Sequence, residues 1–317
     1  MAKGNIVCEQ SQWVSGEWKR AAVILLLLVS TEAVPARSGA GAGPQGGAAD
    51  GERAKRLDAM EALARTIAVT EVAKDGSGDT RAVMRPVPLH RWSEPTRRSH
   101  DGTLWAWGRE GRPLVLLSLE QYPHPTFGPV WSYELVSLSD GLVGATGAKR
   151  FSRLTADYLN VEGDGLLPWA TQNPGLTMWA FPDAPVPGNA EADRLRQIKE
   201  LARRLNSCQF DGQGVERAEL RLLPHPIARY SAPSSGLIDG VICLFVYGTN
   251  PEVVLVIEAR RHGQSPPRWE YGLARLTGAR PSVSLDQKEV WNPIPVGGVA
   301  PDNSYISRVL VPRSANR

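Results

Sequence analysis

Apolar and polar positions change period once along the first half of the chain, and the same change recurs in the second. Leu57, Met60, Leu63, Ala64 and Ile67 fall three and four residues apart, the spacing of one buried helix face. Leu195, Ile198, Leu201, Ala202 and Leu205 repeat that spacing. Ala, Leu, Arg, Glu and Lys fill most of the positions between them, which favours a helix. Asn189 or Asp193 is placed to cap the second one. Beyond each helix, Gly and Pro cut the sequence into short runs and the period drops to two. In the second half the pattern predicts strands over about Ala218–Leu223, Leu237–Tyr247, Glu252–Ala259 and Arg268–Thr277, with a last strand over Ser282–Trp291. "DGTLWAWGREGRPLVLLSLE" (Asp101–Glu120) reads as two strands about a turn, and "DGVICLFVYGTNPEVVLVIE" (Asp239–Glu258) has the same outline. Trp131, Tyr133 and Leu135 alternate onto one face, as do Trp269, Tyr271 and Leu273, and both sets point to core.

These parallels have one source. Shifted by 138 positions, the segment from Arg56 to Leu138 matches the second half without a gap at 23 positions, where composition alone gives about five or six. Arg56, Arg91, Asp101, Gly102, Glu120 and His124 recur as Arg194, Arg229, Asp239, Gly240, Glu258 and His262. A unit of this length is a whole domain, copied in tandem, and not a solenoid repeat. Helix first and then successive strands at short spacing predicts an α+β fold: two homologous tandem domains, each an N-terminal amphipathic helix packed on an antiparallel sheet. The first repeat spans 52–187 and ends in a Pro/Trp-rich extension; the second spans 188–317.

Ahead of them, 1–36 reads as a signal peptide. Lys19 and Arg20 precede an apolar run from Ala21 to Val29, and Val34 and Ala36 are the small residues of a cleavage site. An apolar run of this length falls short of the ~20 residues that cross a bilayer, so a membrane anchor at 21–29 is the weaker alternative. Residues 37–51, "RSGAGAGPQGGAADG", form a Gly/Ala-rich linker. A secreted or periplasmic protein is expected. Cys8 leaves with the signal, and Cys208 and Cys243 are then either a disulfide or two buried thiols.

Composition narrows the partners. Apolar content of 42% and charge of 22% are those of a globular protein, and a net charge of +3 is no footprint for nucleic acid. HExxH, a Walker loop, GxSxG, a dinucleotide glycine pattern and CxxC are all absent, so the reading includes no cofactor and no metal. Counting outward from the turn of the first hairpin places Asp101 beside Glu120 or Gln121, with His124 just beyond. Asp239, Glu258 and His262 stand likewise in the other half. Two carboxylates and an imidazole suit acid–base work or a metal, and they equally suit a solvated sheet end. Arg91 and Arg229 are placed to clamp Glu120 and Glu258, or to bind an anion. Trp92, Trp169 and Trp179 offer platforms for a sugar ring, with buried core as the plainer use of the ten Trp.

"RLRQIKELARRL", "ELRLLPHPIARY", "DGVICLFVYGTNPEVVLVIEARR" and "RWEYGLARL" resemble segments of uncharacterised exported proteins of planctomycete-type bacteria, over nearly all of 52–295. The resemblance implies export and a duplicated α+β domain, and it brings no activity and no site residue. Three functions are open on this reading. The leading one is a non-enzymatic protein that binds a ligand or partner, a carbohydrate or an envelope component among them. The others are a hydrolase using the Asp/Glu/His cluster and a structural protein of the cell envelope.

Overall fold

The computed structural model describes residues 46–72, 79–94, 99–124, 128–147, 158–160, 168–210, 214 and 216–312. The signal-peptide reading of 1–36 and most of the linker reading fall outside these residues. The last part of that linker, from Gly46, is already helical.

The first half runs α1 (Gly46–Arg65), β1 (Ile67–Val72), β2 (Thr80–Arg81), β3 (Val83–Met84), β4 (His90–Glu94), β5 (Ser99–Gly108), β6 (Val115–His124), β7 (Gly128–Ser137), β8 (Leu142–Gly147), β9 (Tyr158–Asn160), β10 (Trp169–Ala170) and β11 (Met178–Ala180). The second runs α2 (Glu191–Ala202), β12 (Leu205–Phe210), β13 (Arg217–Leu222), β14 (Ala228–Ala232), β15 (Leu237–Tyr247), β16 (Asn250–Arg260), β17 (Arg268–Arg275), β18 (Arg280–Leu285), β19 (Lys288–Trp291) and β20 (Tyr305–Pro312).

Strand takes 52% of the described residues and helix 14%, in large curled sheets. The α+β expectation is therefore wrong: the molecule is mostly β. Ile67 and Leu205, read as the last turns of helices, open β1 and β12 instead. The strands at 142–147 and 305–312 carried too little alternation to be seen. The expected last strand folds back on itself at Asp286-Gln287, both with positive φ, which makes it the β18–β19 hairpin. The cap of α2 is Ala190, with no side-chain bond, in place of Asn189 or Asp193.

Strand pairings repeat at the offset of 138. Ile67 pairs Gly147 and Leu205 pairs Leu285. Asp101 pairs Gln121 and Asp239 pairs Ala259. Val115 pairs Ser137 and Val253 pairs Arg275. The halves are nevertheless not two separate tandem domains, because Lys55–Arg317 forms one compact unit. Each half lends a strand to the other. β11, from the end of the first, pairs β17, and β20, from the end of the second, pairs β7.

The core lies in three layers. Alternate residues of β5, β6 and β7, among them Trp105, Trp107, Leu117 and Tyr133, pack with Met60, Leu63 and Ala64 of α1. Val241, Phe245, Leu255 and Trp269 pack in the same way with Ile198 and Leu201 of α2. Between the halves, the opposite faces of the same strands meet: Leu104, Leu116 and Val136 pack with Ile242, Leu244, Val254 and Val256. β15 and β16 are thus covered on both sides, which is why they are apolar at nearly every position. Cys208 and Cys243 are buried and free. β13 runs between their strands, and two strand spacings of about 4.8 Å exceed the Cα separation a disulfide allows, so the bridge is not made. Burial pushes the Cys243 thiol up to about 12.

Candidate functional site

Asp101 and Glu120 do not converge. Asp101 stands opposite Gln121, whereas Glu120 stands opposite Gly102, so the two carboxylates take opposite faces of the sheet. Asp239 and Glu258 are divided in the same way. His124 ends β6 opposite Gly128. His262 bonds Glu270 at 2.8 Å, and neither Asp239 nor Glu258. The acid–base cluster expected at the sheet end is therefore split between two layers. Among the described residues, no group of three or more His, Cys, Asp and Glu side chains is placed to hold a metal ion.

Each Asp instead anchors its own half. Asp101 is buried and accepts from Arg91 Nε at 2.8 Å, from Arg91 Nη2 at 2.7 Å and from Arg56 Nε at 3.3 Å. Asp239 accepts from Arg229 Nε at 2.8 Å and from Arg194 Nε at 2.9 Å. Burial raises the Asp239 carboxyl, but the bonds from Arg229 and Arg194 outweigh it and hold the group below its ordinary value. Arg91 and Arg229 thus clamp Asp101 and Asp239, not Glu120 and Glu258. The repeated arginines at 56 and 194 were the unread signal, for all three members of each cluster recur.

Asp101-Gly102 and Asp239-Gly240 lie within strands and are not turns. A Cβ on Gly102 would come within 2.2 Å of the Trp92 ring, and one on Gly240 within 2.4 Å of the Tyr230 ring. Trp92 is therefore buried against the sheet. Trp169 is buried too, and its Nε1 donates to the Asn303 carbonyl at 2.7 Å. Trp179 leans on Tyr271 with ring centroids 5.6 Å apart. Of the three Trp read as sugar platforms, Trp92 and Trp169 are buried and Trp179 is half-buried.

The layer between the halves is polar at both ends. At one end Glu258, fully buried, accepts from Tyr230 Oη at 2.9 Å, from Arg260 Nε at 2.6 Å and, more loosely, from Arg112 at 3.4 Å. Arg112, itself buried, also donates to the exposed carboxylate of Asp140. The terminal nitrogens of Arg260 bond no described residue, and Arg109 reaches only the Arg81 carbonyl. These side chains border a cleft of about 490 Å³ at the tip of the β5–β6 hairpin, whose floor includes Leu114, Ala232 and Leu237. Its size is that of a small-molecule site. None of Arg109, Arg112, Asp140 and Arg260 drew notice in the sequence, because none recurs at the offset of 138.

At the other end Glu134 is half-buried and accepts from Tyr305 Oη at 2.5 Å. Burial pushes its carboxyl up to about 8; the Tyr305 bond opposes that, and Glu252 and Glu120 add to it.

Comparison with protein-family models, with curated proteins and with solved structures returns no match.

Proposed function

We propose that the chain is a non-enzymatic binding protein whose cleft at the β5–β6 tip takes a small anion. The arrangement at Arg260 carries this reading: Glu258 fixes its Nε, the side chain borders the cleft, and its terminal nitrogens bond no described residue, although the charges of Asp140 and Glu270 also act on it. Arg109 and Arg112 border the same space, so three guanidinium groups stand around one opening together with the carboxylates of Glu71, Glu110 and Asp140. Binding is favoured over catalysis because the buried acids that would serve as acid or base are already held. Asp101 and Asp239 are in ion pairs, and Glu258 accepts from three side chains.

The test is thermal unfolding in inorganic phosphate and in butyrate. At about a hundredfold excess over Kd, a bound anion raises the melting temperature by about 5 °C. Arg260→Ala removes that rise. If neither anion shifts the wild-type transition, the anion cleft is refuted.

A further inference from the structure

The charges around the cleft at the β5–β6 tip divide by the bonds they already make. Arg112 pairs with Asp140 and, at 3.4 Å, with Glu258, and Arg109 donates to the Arg81 carbonyl, also at 3.4 Å. These groups are held within the protein. The carboxylates of Glu71 and Glu110 and the terminal nitrogens of Arg260 border the same cleft and bond no described residue. Glu71 ends β1 and Glu110 sits at the hairpin tip, so both belong to the first half, whereas Arg260 ends β16 of the second. The unbonded acids and the unbonded guanidinium end therefore come from opposite halves.

Neither acid pairs with Arg260, so the two signs of charge stand further apart than the ~4 Å of an ion pair. Around the whole opening the formal charges cancel, with Arg109, Arg112 and Arg260 set against Glu71, Glu110 and Asp140. A ligand of one net charge is drawn to one set and repelled by the other. A ligand that carries both charges meets a partner for each. The cleft floor includes Leu114 from the first half and Leu237 from the second, which suits an apolar chain joining the two charged ends.

We infer that the cleft binds a small aliphatic zwitterion, with a carboxylate and an ammonium group at opposite ends of a short chain. The inference rests on the anion-cleft reading and adds a second charge to its ligand. The carboxylate pairs with the terminal nitrogens of Arg260, whose Nε is fixed by Glu258. The ammonium group pairs with Glu71 and Glu110, and the chain lies against Leu114 and Leu237. A ligand placed in this way touches both halves of the one compact unit.

The experiment uses the full chain with 4-aminobutyrate, butyrate, butylamine and inorganic phosphate as probes, read by calorimetry and thermal unfolding near neutral pH. 4-Aminobutyrate binds about tenfold more tightly than butyrate, and butylamine binds more weakly than either. Glu71→Gln/Glu110→Gln lowers 4-aminobutyrate affinity to near that of butyrate and raises butyrate affinity, because the same change removes a contact for one and a repulsion for the other. If the double variant does not fold, Glu110→Gln alone, at an exposed turn position, moves the two affinities in the same opposite directions. Equal wild-type affinity for 4-aminobutyrate and butyrate overturns the zwitterion and leaves the anion cleft standing. So does an unchanged 4-aminobutyrate affinity in the acid variant that folds. Butylamine binding more tightly than butyrate, or silence from both butyrate and phosphate, overturns the anion cleft and the inference with it.

Discussion

The two halves agree where they face their own helices and differ where they face each other. On the outer side, Arg56, Arg91 and Asp101 match Arg194, Arg229 and Asp239 in identity and in the ion pairs that meet on the Asp, while Arg229 also pairs with Glu191. On the inner side, Glu94, Ser118 and Glu134 of the first half meet Ala232, Val256 and Gly272 at the equivalent positions of the second. The outer layer is what each half needs to hold its helix to its sheet, and there the two halves carry the same residues. The inner layer is shared, and there equivalent positions carry different residues.

Glu134 gives the largest expected effect on that comparison. Folded, its carboxyl titrates at about 8, against an ordinary value of 4.5. A folded pKa raised above the unfolded one means stability that is present below the unfolded value and lost as pH rises through the folded one. Over that span the loss amounts to at most about 5 kcal/mol. Gly272, the equivalent residue, titrates nothing. Glu134→Gln is therefore expected to unfold at a denaturant midpoint near that of wild type at pH 4.5 and well above it at pH 8. Parallel midpoint curves for the two proteins across that range would mean that the inner layer does not hold a neutral acid.

The anchoring aspartates come next. Asp101→Asn and Asp239→Asn each leave two arginines without their carboxylate, a loss of about 3 kcal/mol. The arginines are partly open to water, which keeps the cost at the low end. The two variants should differ by less than about 1 kcal/mol in urea unfolding, since the clusters are built alike. The depressed carboxyl of Asp239 contributes stability above its unfolded value, and that contribution fades as pH falls through the lower folded one. A large loss in one half and none in the other would break the equivalence of the outer layers.

How much of this the sequence carried follows the same division. The offset of 138 and the burial of Trp269, Tyr271 and Leu273 lay in repeated residues, the hairpins about Arg109–Pro113 and Tyr247–Asn250 in turn residues between apolar runs, and pattern found all of them. The overall class did not, because strands buried on both faces lose alternation, and short ones such as β8 show none. Pairing register could be counted along a hairpin, yet the face each side chain takes was not carried through. Asp101 and Glu120 were therefore placed together although adjacent registers send them apart. The cleft residues were hidden for a different reason. Identity between the halves marks what both need in order to fold, whereas Arg112, Arg260 and Ala232 are marked by their departure from Asn250, Tyr122 and Glu94.

The smallest effect concerns the paired aromatics. Trp92 and Tyr230 cover Gly102 and Gly240 in the same way, but only the second offers its polar tip to a carboxylate. Trp92 Nε1 is buried with no partner among the described residues. Tyr230→Phe keeps the ring over Gly240 and removes the donor to Glu258, which still accepts from Arg260. The cost should be about 1.5 kcal/mol, the worth of one hydrogen bond to a charged group. Trp92→Phe loses ring area but no hydrogen bond, so its cost should show in urea unfolding as lost packing alone. A double-mutant cycle separates the two cases. Tyr230→Phe should couple to Glu258→Gln by about 1 kcal/mol, and Trp92→Phe should not couple to Glu120→Gln. Equal coupling in both halves would mean that the inner faces do not differ in their bonding.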